Sequence, residues 1–241
     1  LPMKKSFDIA KDKPQVSIIV PAYNEEGNIR NTISSIMRAV AGTARDYEII
    51  VVNDGSGDKT REIVKEMCKD NKKIRLISNS QNRGFGYSFK RGIRAAKKDY
   101  ISGFPGDNDM AWESLRELIR NANEADLVST YMINPGERSY FRRVISRLFV
   151  ILLNLIYGLH LRYYNGHFIT KTRLLKKNKL VSDGIVLLAE IKIRLLKSNI
   201  SYTEIPFEHQ VRLHGESKAF TSKNILQTFY SLYKITSDIY L

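Results

Sequence analysis

The stretch YEIIVVNDGSGDKT, residues 47–60, passes from a continuous apolar run into a loop of small and polar residues. Runs rich in Val and Ile without polar alternation are typical of strands buried on both faces, as in parallel sheets. Similar runs recur along the first half of the chain, with helical spacing of apolar residues between them. They are VSIIVP (16–21), IRLISN (74–79), DYISGF (99–104) and DLVSTY (126–131), with helices expected over residues 26–41, 58–69, 86–97 and 111–124. This alternation predicts an α/β protein with one mostly parallel, Rossmann-like open sheet covered by helices on both faces.

The alternation stops after residue 135, and the second half has a different pattern. We expect a long helix, basic and then apolar, over residues 136–158, a short strand or turn in RYYNGHFI (162–169), an amphipathic helix over 184–199 and a strand over 200–209. The tail has helical spacing again, so we predict a single domain over residues 1–220 and a C-terminal amphipathic helix over 221–241. Its expected apolar face comprises Phe220, Ile225, Phe229, Leu232, Tyr233 and Ile239.

The composition is that of a globular protein with a strong basic excess. Of 241 residues, 43% are hydrophobic and 10% aromatic, which excludes a disordered chain. The formal net charge of +14 is divided unevenly, with +4 over residues 1–135 and +10 over residues 136–241. Such an excess predicts an anionic partner, namely nucleic acid, phosphorylated small molecules or an acidic membrane face.

The loops after the predicted strands are rich in Asn, Asp and Gly. They read PAYNEEGN (21–28), NDGSGDKT (53–60), NSQNRGFG (79–86) and PGDNDM (105–110). Turn residues are ordinary at strand ends, so one such loop would carry no information. In open α/β sheets, however, ligands bind beyond the carboxyl ends of the strands, and four such loops together indicate a ligand site there.

Asp107 and Asp109 stand one residue apart in the last of these loops. At a separation of ~4 Å, two carboxylates repel each other by on the order of 4 kcal/mol at intermediate dielectric, so a cation is expected between them. Mg²⁺ or Mn²⁺ fits, because these ions take a few carboxylates and fill their other positions with water and diphosphate oxygens. The alternative is that one aspartate caps the helix expected near Ala111, which would explain one acid but not the pair.

Four blocks of sequence together resemble the family-2 glycosyltransferases, which have the GT-A fold. The first three are VSIIVPAYNEEGNI (16–29), YEIIVVNDGSGDKT (47–60) and NRGFGYSFKRGIRAAKKDYISGFPGDND (82–109). The fourth, EIPFEHQVRLHGESK (204–218), is similar to a segment of the dolichol- and polyprenol-phosphate sugar synthases of that family. The resemblance extends over residues 14–220, and the blocks stand in the family's order.

The resemblance implies roles for individual residues. It assigns residues 14–131 to a nucleotide-binding half and residues 132–220 to an acceptor-side half. The positions that match binding of the nucleotide-sugar are Pro21, Ala22, Tyr23, Glu25, Asp54, Gly84, Lys90 and Asp107. Asp107 and Asp109 match the ligands of Mg²⁺ or Mn²⁺, and Asp109 also counts among the catalytic positions. Arg147, Arg212 and Lys218 match bases that meet phosphate groups.

The chain departs from the family pattern at three places. It has Asp-Asn-Asp-Met-Ala where relatives have Asp-Ala-Asp-Leu-Gln or similar, and Thr130 where an Arg is common. RYYNGHF (162–168) replaces an Asp-x-x-Ser-Gly-Phe stretch. The last two differences fall where the acceptor and the sugar are expected.

The resemblance implies inverting, metal-dependent transfer of a sugar from a UDP- or GDP-sugar to a polyprenyl phosphate such as dolichyl or undecaprenyl phosphate. A lipid phosphate is already ionised near neutral pH and needs no strong base, which agrees with four scattered histidines that we interpret as structural or exposed. The alternative is transfer to a hydroxyl group in polysaccharide or glycolipid synthesis. That reaction needs a general base, for which Glu190 is the candidate unless it forms a salt bridge with a neighbouring base.

A basic nucleic-acid-binding protein is the third hypothesis, suggested by the pI of about 9.7. Bases and aromatic residues do not interleave as in a recognition module, so we expect no nucleic-acid partner.

The most apolar segment, residues 144–160, contains Arg147 and Asn154 and is shorter than the ~20 residues of a membrane span. We therefore expect a buried or interfacial helix, and a protein attached peripherally to the cytoplasmic face of a membrane. The single Cys68 excludes an internal disulfide, which agrees with a reducing compartment. The residues expected at an anionic surface are Arg138, Arg142, Arg143 and Arg147, with Phe149, Ile151, Leu152 and Leu155 entering the bilayer or forming an acceptor groove. The alternative for these four apolar side chains is burial in an ordinary core.

Overall fold

The computed structural model describes residues 13–133, 140–207 and 222–240. Within these ranges the strands are β1 (Gln15–Ala22), β2 (Asp46–Asn53), β3 (Ile74–Ser78), β4 (Tyr100–Gly103), β5 (Leu127–Met132), β6 (Phe168–Lys171) and β7 (Tyr202–Phe207). The helices are α1 (Ile29–Val40), α2 (Thr60–Asp70), α3 (Phe85–Ala95), α4 (Trp112–Arg120), α5 (Tyr140–Tyr157), α6 (Thr172–Lys177), α7 (Leu187–Lys197) and α8 (Ser222–Tyr240).

These strands form one sheet in the order β3-β2-β1-β4-β6-β5-β7. The pairs β1–β2, β2–β3, β1–β4 and β5–β7 are parallel, which confirms the mostly parallel sheet. β6 lies between β4 and β5 and is antiparallel to both, a placement that the sequence did not predict. The RYYNGHFI segment therefore ends in a strand.

Helices cover both faces of the sheet, as expected. In β1, Ile18 and Ile19 are fully buried and belong to different cores, because successive strand side chains point to opposite faces. The core around Ile18 contains residues of α1, α2 and α4, such as Ile33. The core around Ile19 contains residues of α3, α6 and α7, such as Phe89 and Ile191.

The C-terminal helix α8 packs in a third hydrophobic cluster with α5 and α7. Each of the three helices contributes fully buried residues, among them Leu153, Ile193 and Ile235. The predicted apolar face of α8 is wrong at Tyr233, which is 70% exposed, because the buried residues Leu232 and Ile235 define a face that turns away from it. Phe220 lies outside the described residues.

α5 has an apolar stripe on its exposed side, in addition to its buried side. Phe141, Val144, Leu148, Ile151 and Leu155 follow each other at intervals of three and four residues, and their exposed fractions range from 37% to 77%. We call these five residues the α5 stripe. In the described parts of the chain, no helix combines the length and the apolar character needed to cross a membrane.

Because β1, β2 and β4 run in parallel and in register, their carboxyl ends meet at one edge of the sheet. Ala22 pairs with Asn53, and Ile19 pairs with Gly103 at the end of β4. β5 and β7 end at the same edge, and the antiparallel β6 begins there. All loops singled out in the sequence therefore converge on this carboxyl edge.

Candidate functional site

The loop after β1 and the loop after β2 are joined by reciprocal hydrogen bonds. The backbone N–H of Glu25 donates to Thr60 Oγ1 at 2.8 Å, and that of Asn24 donates to Ser56 Oγ at 3.0 Å. Asn24 Oδ1 in turn accepts from the backbone N–H of Gly57 at 2.9 Å. These bonds join residues 21–25 and residues 54–60 into one rim of the candidate site. On this rim the Tyr23 side chain remains 44% exposed.

Asp54 connects this rim to the loop after β3. Its side chain is buried, and its carboxylate accepts hydrogen bonds from the backbone N–H groups of Arg83 at 3.0 Å and Gly84 at 2.8 Å. Asn79 Nδ2 donates a further bond at 2.5 Å. The Asp54 carboxylate thus holds the loop after β3 beside the loop after β2. The sequence did not reveal this structural role. Direct contact of Asp54 with a nucleotide stays a prediction.

Gly84 and Lys90 lie next to Asp183, a residue from the second half of the chain. Lys90 Nζ forms an ion pair with Asp183 Oδ1 at 2.7 Å, and the Gly86 N–H donates to the Asp183 carbonyl at 2.8 Å. A side chain at Gly86 would lie 2.5 Å from the Asp183 carbonyl carbon, so only glycine permits this contact. The nucleotide-binding roles of Gly84 and Lys90 stay predictions, and Lys90 has this additional partner.

The acid pair lies in the loop after β4, with both carboxylates half-buried. Between the two, Asn108 has a φ of +56°, and the Asp109 N–H faces Asp107 Oδ1 at 3.4 Å. Gly106 presses this loop against β1, since a Cβ there would lie 2.7 Å from the Pro21 carbonyl oxygen. The N-cap of α4 is Ala111, without a side-chain capping bond, so helix capping does not account for the pair.

The chemistry of this loop fits a hard divalent cation. Asp107 and Asp109 supply carboxylate oxygens, and the buried Asn108 Oδ1 beside them has no hydrogen-bond partner. Among the described residues, no group of three or more His, Cys, Asp and Glu is arranged to hold a metal. Two carboxylates of the described residues would thus hold the ion, and diphosphate and water oxygens can fill further positions, which is a usual pattern for Mg²⁺.

Glu190 is an internal residue of α7 with no exposed surface. One carboxylate oxygen accepts from the Val181 N–H and from Arg194 Nε, and the other accepts from the Ser182 N–H, each at 2.8 Å. These contacts support the salt-bridge interpretation of Glu190 over its role as a general base, because both oxygens are engaged inside the protein.

The predicted phosphate-binding bases are only partly described. Arg147 is exposed on α5, beside the α5 stripe. Arg212 and Lys218 lie outside the described residues. Their phosphate contacts therefore stay predictions.

An aromatic group at the second half of the carboxyl edge was not identified from the sequence. Tyr163 stacks on Phe207 with ring centroids 6.5 Å apart, and His167 meets Phe207 edge-on at 5.7 Å. We call Tyr163, His167 and Phe207 the aromatic group. Thr130, in β5, donates from its backbone N–H to the His167 carbonyl at 2.9 Å. Thr130, Tyr163 and His167 lie where the chain departs from the family pattern, and that departure was the available signal.

Taken together, the sheet order, the helices on both faces and the acid pair after β4 define a protein of the GT-A class. Comparison with protein families then identifies the family. The chain belongs to glycosyl transferase family 2, whose pattern matches residues 17–183.

Several known proteins are similar to this chain over most of its length. The dolichol-phosphate mannosyltransferase of Pyrococcus furiosus is 27% identical over 230 residues, which cover 92% of this chain and 63% of that protein. The undecaprenyl-phosphate 4-deoxy-4-formamido-L-arabinose transferase of Edwardsiella ictaluri is 30% identical over 213 residues, which cover 84% of this chain and 62% of that protein. This chain therefore spans less than two thirds of the length of each.

A solved structure shows the same fold. Glucosyl-3-phosphoglycerate synthase from Mycobacterium tuberculosis, crystallised with Mn²⁺, UDP and phosphoglyceric acid, has a TM-score of 0.73 at 19% identity. The match covers 95% of this chain and 80% of that chain.

Proposed function

We propose that this protein is an inverting, metal-dependent glycosyltransferase that moves a sugar from a nucleotide-sugar donor to a polyprenyl phosphate. The observation that carries the proposal is the acid pair, Asp107 and Asp109, which the contact of Gly106 with β1 holds at the carboxyl edge. Two of the reported relatives act, by their names, on dolichol phosphate and undecaprenyl phosphate, and the structural neighbour was crystallised with Mn²⁺ and UDP.

In this proposal, the loops after β1, β2 and β4 bind the nucleotide-sugar donor. The joined rim of residues 21–25 and 54–60 offers backbone and side-chain polar groups to the nucleoside, with the exposed Tyr23 ring at its margin. Asp107 and Asp109 would hold Mg²⁺ or Mn²⁺, which would supply electrostatic stabilisation of the departing diphosphate. Arg212 and Lys218 are the sequence-predicted bases that share this task.

The acceptor half requires little acid–base chemistry from the protein. A polyprenyl phosphate is an anion near neutral pH, so its oxygen can attack the anomeric carbon without a strong general base. The internal engagement of Glu190 agrees with this mechanism. A hydroxyl acceptor, in contrast, would need a base with access to the substrate.

The acceptor lipid resides in a membrane, and α5 is suited to contact one. The α5 stripe presents apolar side chains to solvent, and Arg143 and Arg147 are exposed on the same helix. An amphipathic helix of this kind binds an anionic lipid surface through apolar burial and attraction of its bases. The protein would thus attach peripherally at the cytoplasmic face.

Transfer assays with purified protein test the proposal. UDP- and GDP-sugars are supplied with Mn²⁺ and a short-chain polyprenyl phosphate, and the lipid extract is analysed for product. We expect a lipid-linked phosphosugar that mild acid releases, and no product when a chelator removes the metal. A glycoside stable to mild acid and alkali, formed on a hydroxyl acceptor, would establish the alternative reaction instead.

A further inference from the structure

Lys192 lies in the middle of α7 and has no exposed surface. Its neighbours Ile191 and Ile193 belong to two different hydrophobic clusters, so the lysine is enclosed between packed layers. Lysine is almost never fully buried without a partner, because removing an ammonium group from water is costly. A methionine would fill a similar volume without that cost, which indicates a specific task for the amine.

The amine contacts the segment that leads into β6. Lys192 Nζ donates a hydrogen bond to the Tyr163 carbonyl at 3.2 Å. On strand β7, the Glu204 carboxylate accepts from the Arg162 N–H at 3.1 and 3.2 Å. The buried Lys192 and the half-buried Glu204, from two different elements, therefore hold consecutive backbone groups of one loop, residues 162–167.

This loop carries two members of the aromatic group, Tyr163 and His167. Its other end is fixed on β5, where Thr130 donates to the His167 carbonyl. Gly166 allows that approach, since a Cβ there would lie 2.1 Å from the Thr130 carbonyl oxygen. The loop thus has one anchor on β5 and one on Lys192 and Glu204, and the aromatic group lies at the carboxyl edge between them.

We propose that Lys192 is a positioning residue for the acceptor side of the site, which holds the loop of residues 162–167 through the Tyr163 carbonyl and so places the aromatic group beside the incoming acceptor. This inference rests on the proposed function for the identity of the acceptor. The described hydrogen bond of Lys192 goes to Tyr163 and not to the rim formed by residues 21–25 and 54–60, so we expect donor binding to be unchanged when the amine is removed.

The charge of Lys192 makes its contact with the loop of residues 162–167 dependent on pH. Burial lowers the pKa of Lys192 to about 7, and the nearby Glu204 carboxylate opposes that shift. Burial raises the pKa of Glu204 in turn. The ammonium form donates the stronger hydrogen bond to a carbonyl, so the loop loosens as the pH rises through about 7. The other titratable or charged groups near this contact are Arg162, Tyr163 and Tyr164 in the loop and Glu190 and Arg194 on α7.

The test uses Lys192→Met, which removes the amine, and Lys192→Gln, which keeps an uncharged N–H donor. Lys197→Met is the matched control, because Lys197 is exposed on the same helix. Loss of a single hydrogen bond of about 1 kcal/mol corresponds to roughly a fivefold effect. We expect the KM for polyprenyl phosphate to rise by roughly fivefold in Lys192→Met, with the donor KM unchanged. In Lys192→Gln the KM for polyprenyl phosphate should rise less, and in Lys197→Met it should not change.

The pH profile and hydrogen exchange provide further readouts. The acceptor KM of the parent should change near pH 7, and this inflection should be absent in Lys192→Met. Without any substrate, amide hydrogen exchange of residues 162–167 should be faster in Lys192→Met than in the parent. Unchanged exchange, or an equal rise of donor and acceptor KM, overturns the proposal.

If the parent shows no transfer to polyprenyl phosphate, the proposed function fails separately. The exchange experiment still decides whether Lys192 anchors the loop.

Discussion

At the scale of single residues, buried polar side chains organise the loops near the candidate site by holding backbone groups of other segments. Asp54 holds the backbone of Arg83 and Gly84, and Glu190 holds that of Val181 and Ser182. Such groups are costly to leave unsatisfied, so their removal affects the loops that they organise.

The acid pair gives the first prediction. Asp109→Ala should weaken Mn²⁺-dependent binding of UDP by more than about tenfold, because a carboxylate ligand of the ion is removed. Titration calorimetry with UDP and Mn²⁺ measures the effect, and thermal unfolding checks that the fold is intact. Glu113→Ala, at an exposed acid in the first turn of α4, is the control. A variant that binds UDP as tightly as the parent, with metal still required, would remove Asp109 from the site.

Asp54→Asn tests the organisation of the rim. The amide has one acceptor oxygen in place of two, so at least one of the N–H donors of Arg83 and Gly84 loses its acceptor on residue 54. We expect a loss of about 2 kcal/mol in the free energy of unfolding, measured with urea, and weaker UDP binding. Asp70→Asn, at the exposed end of α2, should have neither effect. Unaltered stability would show that the Asp54 charge is not needed for the loop.

Lys192 gives a prediction on pH and stability. Burial lowers the pKa of Lys192 in the folded protein to about 7, below its ordinary value of 10.5, so between these pH values the unfolded chain holds a proton that the folded chain lacks. The free energy of unfolding of the parent should therefore rise relative to that of Lys192→Met as the pH increases from about 7 towards 10.5. Urea unfolding of both proteins at several pH values measures the difference. A difference independent of pH would contradict a depressed pKa.

At the scale of elements, most strands and helices follow from local pattern. β1 and β2 extend the predicted runs by one or two residues, and α1 to α4 lie within or close to the predicted ranges. The antiparallel position of β6 between β4 and β5 could not be predicted from local pattern, because this strand has only four residues and its neighbours are distant in sequence. Its position depends on pairing energies, which hydrophobic periodicity does not record.

A glycine at the junction of two elements tests how the acid pair is held. In Gly106→Ala, the new Cβ would meet the Pro21 carbonyl oxygen at 2.7 Å, and the loop after β4 would have to move away from β1. We expect a loss of about 1–3 kcal/mol in the free energy of unfolding and weaker Mn²⁺-dependent UDP binding. Gly27→Ala is the control, since Gly27 lies outside the rim of residues 21–25 and 54–60 and a Cβ at that position has nothing within 4 Å. Parent-like UDP binding in Gly106→Ala would show that the acid pair does not need this contact.

At the scale of the whole molecule, a charge of +14 and the exposed α5 stripe point to one anionic, apolar partner surface. Leu148→Glu and Leu155→Glu should each reduce binding to vesicles of anionic lipid by about tenfold or more, because burial of one leucine is worth about 1.5–3 kcal/mol. Co-sedimentation with vesicles at low and high salt measures the effect. Met37→Glu, at an exposed apolar residue of α1, is the control. Equal losses in all three variants would mean that added negative charge, and not the stripe, is responsible.

The sequence by itself determined the fold class, the family and the loop that carries the acid pair, because buried strands, turn residues and close carboxylates leave local patterns. Only the tertiary structure decided that both carboxylate oxygens of Glu190 are engaged inside the protein, that β6 separates β4 from β5, and that Lys192 is buried beside the loop of residues 162–167. It also decided that α5 is buried on one side and exposed on the other. These properties depend on which distant residues come into contact, and burial and hydrogen bonding with distant partners have no signature in local spacing.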